Sequence, residues 1–350
     1  METFVGYLNY VVFFAIQGGI FAILCLGLNI QWGYTGLFNI GIAGFYAVGA
    51  YTSALLSGPP PTPLDWRIVG GYQLPFVVGL LGAMGVSGIL AFLIGIPTLR
   101  LKEDYLAIAT IGIAEVIRLV LKNEAWLTNS VWGLKNLPSP LQGPIERGIS
   151  AFLASHPDFP RWLTVLVSRG YNWFYLAVVM VLIFLLYKAS ERIIRSPWGR
   201  VLRAIREDEA VAAVSGKDVF WFKMQSLILG SMLMGLAGGL YAHFAKFIDA
   251  MTFEPMFGTF IIWVMLIAGG SGNSKGAILG SFTIWAVWAG TDFVTGHIHM
   301  VGYREGALRV ILIGLLLEII LIMRPQGILG EEKMVSKMYE EEAVPEKKKP

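Results

Sequence analysis

The sequence predicts an all-α fold, a polytopic transmembrane helical bundle of about nine spans. Three observations predict it. The 350 residues are 55% hydrophobic and 15% charged, where a soluble domain carries about 25% charged residues. The mean hydropathy is +0.64. Apolar runs long enough to cross a hydrocarbon core of roughly 30 Å recur along the whole chain. The net charge of +3 is small and gives no reason to expect a nucleic-acid partner.

The first run, Phe4 to Leu28, is too long for a signal-peptide core and has no basic segment before it. It reads as a retained membrane helix. It contains Cys25, the single cysteine, which reads as a packing residue and rules out a disulfide within the chain. A Gly-rich interruption, Gln31 to Gly36, precedes a second run from Leu37 to Leu56, and Gly36 and Asn39 can break that second helix. The segment holding Pro59, Pro60, Pro61 and Pro63 cannot be helical. Further runs follow at Pro75 to Ile96 and Tyr105 to Leu121. Residues 122–170 contain five prolines and no obvious span, and read as an extracytoplasmic insertion. After Tyr171 to Tyr187 the chain is polar and basic over 188–223. The last runs are Met224 to Ala245, Met256 to Gly270, Ala277 to Val294 and Glu305 to Met323. The membrane domain therefore occupies 1–330. Residues 331–350, mostly Glu and Lys, read as a disordered cytoplasmic tail.

Alternating spans place 17 Lys and Arg on the side of the 188–223 loop and 8 on the other. Cytoplasmic loops carry the excess, so the N-terminus is expected outside and the C-terminus inside. Without the basic residues that follow the last span the counts are 11 and 8, and the orientation then rests mainly on the 188–223 loop.

In that loop Pro197 and Gly199 break the chain. Arg200 to Ser215 then reads as a short helix with an apolar stripe at Val201, Leu202, Ile205, Ala212 and Ala213. Gly216 suits its C-terminus. Such a helix is either a solvated loop obeying the charge rule or a docking element. The acidic cluster Glu207-Asp208-Glu209 favours docking on a protein, because a lipid-bound helix would carry a uniformly basic polar face.

In the second run Gly41 and Gly44 share a face, and Ala43, Ala47 and Ala50 form a small-residue row. Both are devices for close helix approach. A helix broken at membrane depth must satisfy its freed backbone groups on protein or on a water-filled cavity, and transport sites are commonly built this way. Asn39, Gly41, Gly44, Gly49 and Tyr51 are the candidate path residues, with ordinary Gly-rich packing as the alternative. Glu115 with Arg118 and Glu305 with Arg309 have the spacing of structural ion pairs. Asp292 and Glu318 are the only other candidates for an ion relay. His243, His297 and His299 show no metal-ligand pattern, and no metal or cofactor is expected. A GxxxxGK[ST] loop is absent, so ATP hydrolysis, if it drives this chain, belongs to another.

Five segments carry a resemblance: Gly41 to Thr52, Leu99 to Thr110, Glu115 to Arg118, Arg200 to Asp208 and Gly235 to His243. In this order they resemble the membrane permeases of bacterial ABC importers for branched-chain amino acids, over about residues 15 to 330. Urea and short-chain amide importers have similar permeases. The resemblance implies a non-enzymatic transport subunit in the bacterial inner membrane. It implies a second, homologous permease, two cytoplasmic ATPase subunits and a periplasmic substrate-binding protein as partners. It makes the loop helix the ATPase-coupling segment, with Arg203, Arg206, Glu207, Asp208 and Gly216 matching best. Two departures stand out: the acidic cluster falls early relative to Ala212-Ala213, and Asn129 and Ser130 replace family glycines. The expected mechanism is alternating access driven by the ATPases. A secondary transporter or channel acting alone is the competing reading.

Overall fold

Each of the nine apolar runs forms a helix in the computed structural model. It describes residues 2–63, 65–156, 164, 167, 170–298 and 303–331. Helix α1, Glu2–Leu28, continues as a π-helical turn, Asn29–Gly33. Gly36, at φ +75°, ends it by taking a conformation that side chains with a Cβ rarely adopt. The chain runs without helix to Gly41, and α2 covers Ile42–Ser57. The break foreseen in the second span is thus an unwound leader ahead of α2. Its 16 residues rise only about 24 Å, less than a hydrocarbon core.

Helix α3, Phe76–Thr98, and α4, Glu103–Asn123, follow. The described residues of 122–170 include α5, Ala125–Thr128, and α6, Gln142–Ala154. Helix α7, Gly170–Ile194, carries Lys188 and Arg192 on its last turns. Between α7 and α10 the chain holds two helices where one was expected: α8, Pro197–Glu207, and α9, Glu209–Val214. Pro197 opens α8 at a position where a missing N–H costs nothing. Asp208 breaks the pair by leaving helical geometry to cap α9, accepting from Val211 N at 3.0 Å.

Helix α10 covers Val219–Ala245. After a second π-helical turn, Met256–Phe260, α11 runs only from Ile261 to Gly269. Helices α12, Ser274–Ile298, and α13, Tyr303–Met323, complete the bundle. Five of the helical segments are long and apolar enough to cross a membrane: Gly6–Gly33, Phe76–Thr98, Gly170–Ile194, Val219–Ala245 and Gly306–Met323. Helices α4 and α12 are of similar length, with 21 and 25 residues.

The connections gather at two ends. At the basic end, Asn29 Oδ1 accepts from Gly272 N at 2.8 Å, and the Arg100 guanidinium lies 6.0 Å from the Phe220 ring. At the far end, Ile68 N donates to Trp126 O at 2.7 Å, and Leu134 bridges to Ile248. No longer strand pairing occurs among the described residues. Helix α10 sits at the centre, packed on α1, α2 and α3. Lipid offers helices no hydrophobic drive to associate, so close packing through small residues must hold them. Gly49 and Gly238 serve this contact: a Cβ on Gly49 would fall 2.2 Å from Gly235 O, and one on Gly238 2.1 Å from Tyr46 O. Helices α3, α7 and α13 leave large apolar side chains exposed, as lipid-facing helices should.

The segment 324–331 straps back onto α11. Ile328 N donates to Ala268 O and Leu329 N to Gly269 O, each at 2.9 Å. It thus satisfies carbonyls left open at the end of α11. Glu331, the first residue after the expected membrane domain, is bonded to Arg206. Residues 332–350, the expected tail, lie outside the described residues, as do the side chains of Asp292, His297, His299, Glu305 and Arg309.

Candidate translocation site and coupling surface

The two shortest membrane helices, α2 and α11, meet through their irregular leaders. Ala43 N donates to Thr259 Oγ1 at 3.1 Å, and Trp263 Nε1 donates to Asn39 O at 3.2 Å. The Trp263 ring meets Trp32 and Phe38 edge on, and those two are tilted by 45° to each other, with all centroids 5.0–5.2 Å apart. Paired interrupted helices meeting inside a bundle are the usual construction of a transport site.

The unwound residues 34–41 have few bonds of their own, so side chains of neighbouring helices supply them. Gln31 Nε2 donates to Leu227 O at 2.9 Å and to Ser231 Oγ at 3.2 Å. Its Oε1 accepts from Asn39 Nδ2 at 2.8 Å. Asn39 Oδ1 in turn accepts from Gly41 N at 2.8 Å. Ile40 N donates to Thr110 Oγ1, and Thr35 and Ser226 both donate to Ile30 O. Gln31, Asn39, Thr35, Ser226 and Thr110 are all buried, so a lost bond here leaves an orphan polar group in an apolar setting.

All five sequence-predicted path residues are buried within the chain. Asn39 is a backbone clamp. Gly41 and Gly44 face Thr110 and Ala114 of α4, whereas Gly49 faces Gly235 of α10. Tyr51 joins a ring cluster with Tyr46, Tyr241 and Phe253. Its hydroxyl is buried with no hydrogen-bond partner, a rare condition that marks strain or function. Sequence reasoning missed Gln31, Thr110, Ser226, Ser231 and Thr259. The available signal was their polarity inside otherwise apolar runs.

On α4, Arg118 grips Glu115 with two bonds, Nε to Oε2 at 2.8 Å and Nη2 to Oε1 at 2.5 Å. The Glu115 side chain stays 37% exposed. Charges at membrane depth face a bundle interior or a cavity, so this side of α4, beside Met251, is not a lipid face. At the far end His243 is buried. Its Nδ1–H donates to Pro138 O at 2.5 Å, which leaves Nε2 to accept from Ser53 at 2.9 Å. Among the described residues no three His, Cys, Asp or Glu side chains converge on a metal position.

At the basic end, Leu202, Ile205 and Ala212 are buried, and Ala213, expected in the same stripe, is exposed. The Asp208 break turns α9 relative to α8 and carries Ala213 off that face. Val211 and Val214 stand exposed on α9, at 62% and 91%. Glu207 and Asp208 are also exposed. Arg203 donates to Ile194 O at 3.2 Å, and Gly216, at φ +76°, ends the segment. Arg200, Arg203, Arg206 and Glu207 border a cavity of about 760 Å³. The surface has the chemistry of a docking face: apolar residues without cover, ringed by charges of both signs.

The branched-chain amino acid transport system permease component family matches residues 10–321. The chain belongs to this family. It is 30% identical over 311 residues to the high-affinity branched-chain amino acid transport system permease protein LivM of Salmonella typhimurium. That alignment spans 89% of this chain and 68% of the relative. It is 27% identical to the probable branched-chain amino acid transport permease protein LivM of Methanocaldococcus jannaschii, over 91% of this chain and 92% of that one. The guanosine ABC transporter permease protein NupQ of Bacillus subtilis is 22% identical over 59% of each chain. No solved structure matches. The family member described here is thus a multi-pass membrane permease, the transport subunit of an ABC system.

Proposed function

We propose that this chain is one permease of an ATP-driven importer for branched-chain amino acids. It pairs with a second, homologous permease, receives substrate from a periplasmic binding protein, and is driven by two cytoplasmic ATPase subunits. Its basic end is cytoplasmic, which sets the N-terminus outside. The observation that carries the reading is the α8–α9 surface, where exposed Val211 and Val214 sit beside Arg203, Glu207 and Asp208. From this surface Arg206 Nη1 reaches inward to donate to Gly33 O, at the start of the break before α2. A push on the docking surface therefore arrives at the interrupted helices directly.

The path runs beside the α4 face that bears Glu115 and Arg118, against the second permease. Gly41, Gly44 and Gly49 allow α2 to slide on α4 and α10 between two states of the bundle, each favoured by different partner contacts.

The test is reconstitution of this chain with its three partner types in liposomes, with leucine, isoleucine, valine and urea as cargo. Substituting Arg203→Ala and Glu207→Ala together is expected to abolish stimulation of ATP hydrolysis by loaded binding protein and to cut uptake at least about tenfold, the equivalent of 1.4 kcal/mol of coupling. Co-purification would show that the complex still assembles. Uptake without any ATPase, or full coupling in the double variant, would overturn the proposal.

A further inference from the structure

Arg206 is held by more than the coupling helix that carries it. Its stem packs on Gly36, with Cγ 3.1 Å from where a Cβ would stand, and its Nη1 is 3.2 Å from the corresponding point on Gly272. Its Nη1 donates to Gly33 O, and its Nη2 donates to both oxygens of Glu331, at 3.0 and 2.9 Å. One guanidinium thus joins four chain segments: α8, the end of the α1 rod, the α11–α12 turn and the strap. A planar fork with several fixed donors suits such a junction, where a lysine would offer a single mobile point charge.

The carboxylate is firmly placed. The strap is tied to α11 by the Ile328 and Leu329 amides, and Asn273 Nδ2 donates to Gly330 O at 2.9 Å, one residue before Glu331. Asn273 also heads α12, accepting from Lys275 N at 2.9 Å. The strap lies beyond residues 10–321, where the family match ends.

We infer that Glu331 is a positioning residue for coupling: anchored by the strap, it aims the Arg206 guanidinium at Gly33, so that movement of α8 pulls on the α1 break and on the α11–α12 turn together. This rests on the reading of α8–α9 as the ATPase-docking surface. Without the carboxylate the guanidinium is free to swing into the cavity it borders, and docking would move α8 with less displacement of the break. The pair is partly exposed, with side chains 25% and 35% accessible, so salt should weaken it.

The experiment uses the complete complex in proteoliposomes and reads substrate moved per ATP hydrolysed. Glu331→Gln keeps the shape and removes the charge; Glu331→Asp keeps the charge. We expect Glu331→Gln to lower the ratio roughly threefold to fivefold, the scale of a partly exposed ion pair, and Glu331→Asp to restore most of it. Raising salt should bring the wild type towards the Glu331→Gln value while leaving that variant flat. A Glu331→Gln ratio equal to wild type overturns the inference, and so does an equal loss in Glu331→Asp, where a retained charge would have restored nothing. Failure of the docking reading looks different. There the Arg203→Ala, Glu207→Ala variant would couple normally, whatever Glu331 did.

Discussion

Substituting Gly49 by Ala is the sharpest test of how the bundle is held. The added Cβ would lie 2.2 Å from Gly235 O and 2.4 Å from Gly235 Cα. Carbon and oxygen need about 3.3 Å. Both obstructing atoms are backbone and cannot rotate away, so α2 and α10 must part by about 1 Å along their shared face. The same face includes Gly238, whose missing Cβ leaves room for Tyr46 O. Overpacking of this kind costs about 1–3 kcal/mol, more than the roughly 1 kcal/mol that Ala contributes over Gly as a helix former. Two controls separate packing from propensity. At Gly44 the nearest atoms, on Ala114, are 3.1–3.2 Å from the new methyl, and at Gly85 nothing lies within 4 Å. Thermal melts of the purified protein in mild detergent should rank Gly49→Ala well below Gly44→Ala, with Gly85→Ala at or above wild type. The reasoning fails if Gly49→Ala melts with wild type, or if Gly85→Ala falls as far as Gly49→Ala.

Gln31→Leu, a change of similar volume, leaves Asn39 Nδ2 without its acceptor and takes a donor from Leu227 O. It should cost about 1–3 kcal/mol and loosen the leader of α2, read as a lower melting temperature; a silent variant would show that the polar clamp is not what holds the break. At the far end Asp65 is held below the ordinary carboxylate range chiefly by the Thr62 backbone N–H, with burial opposing and the Thr62 hydroxyl, Arg67 and Lys135 assisting. A lowered folded value means that its contribution is complete above the free carboxylate value of about 3.9 and is lost as pH falls through the folded one. Tryptophan fluorescence, to which Trp66 and Trp132 in the same cavity contribute, should therefore show an acid change below about pH 4 that Asp65→Asn lacks; an identical change in the variant would refute this assignment.

Much of the fold was legible because membrane helices must be both long and apolar, and each run from Phe4 to Met323 announced itself that way. Alternation of spans then predicted which loops meet, and the contacts of Asn29 with Gly272 and of Leu134 with Ile248 agree with it. The interruption at Gly36 was readable from glycine chemistry. Its repair was not, because Gln31 finds its partners on α10, nearly two hundred residues away. The 188–223 loop was legible in composition and only partly in geometry. The acidic cluster that suggested a docking surface also contains the cap, Asp208, that splits the helix in two. The strap gave no periodic signal at all: eight residues with a Pro and two Gly carry no pattern that points to α11, and only their backbone bonds place them there.

Those bonds impose an order of assembly. The carbonyls of Ala268 and Gly269 find their donors in Ile328 and Leu329, sixty positions later in synthesis. Between them come the two longest stretches still to be inserted, α12 and α13. The end of α11 therefore stays open while the ribosome makes the last hairpin, and the slot that receives Arg206 closes only afterwards. A chain interrupted before the strap would therefore lack both the donors that close the end of α11 and the carboxylate that holds Arg206.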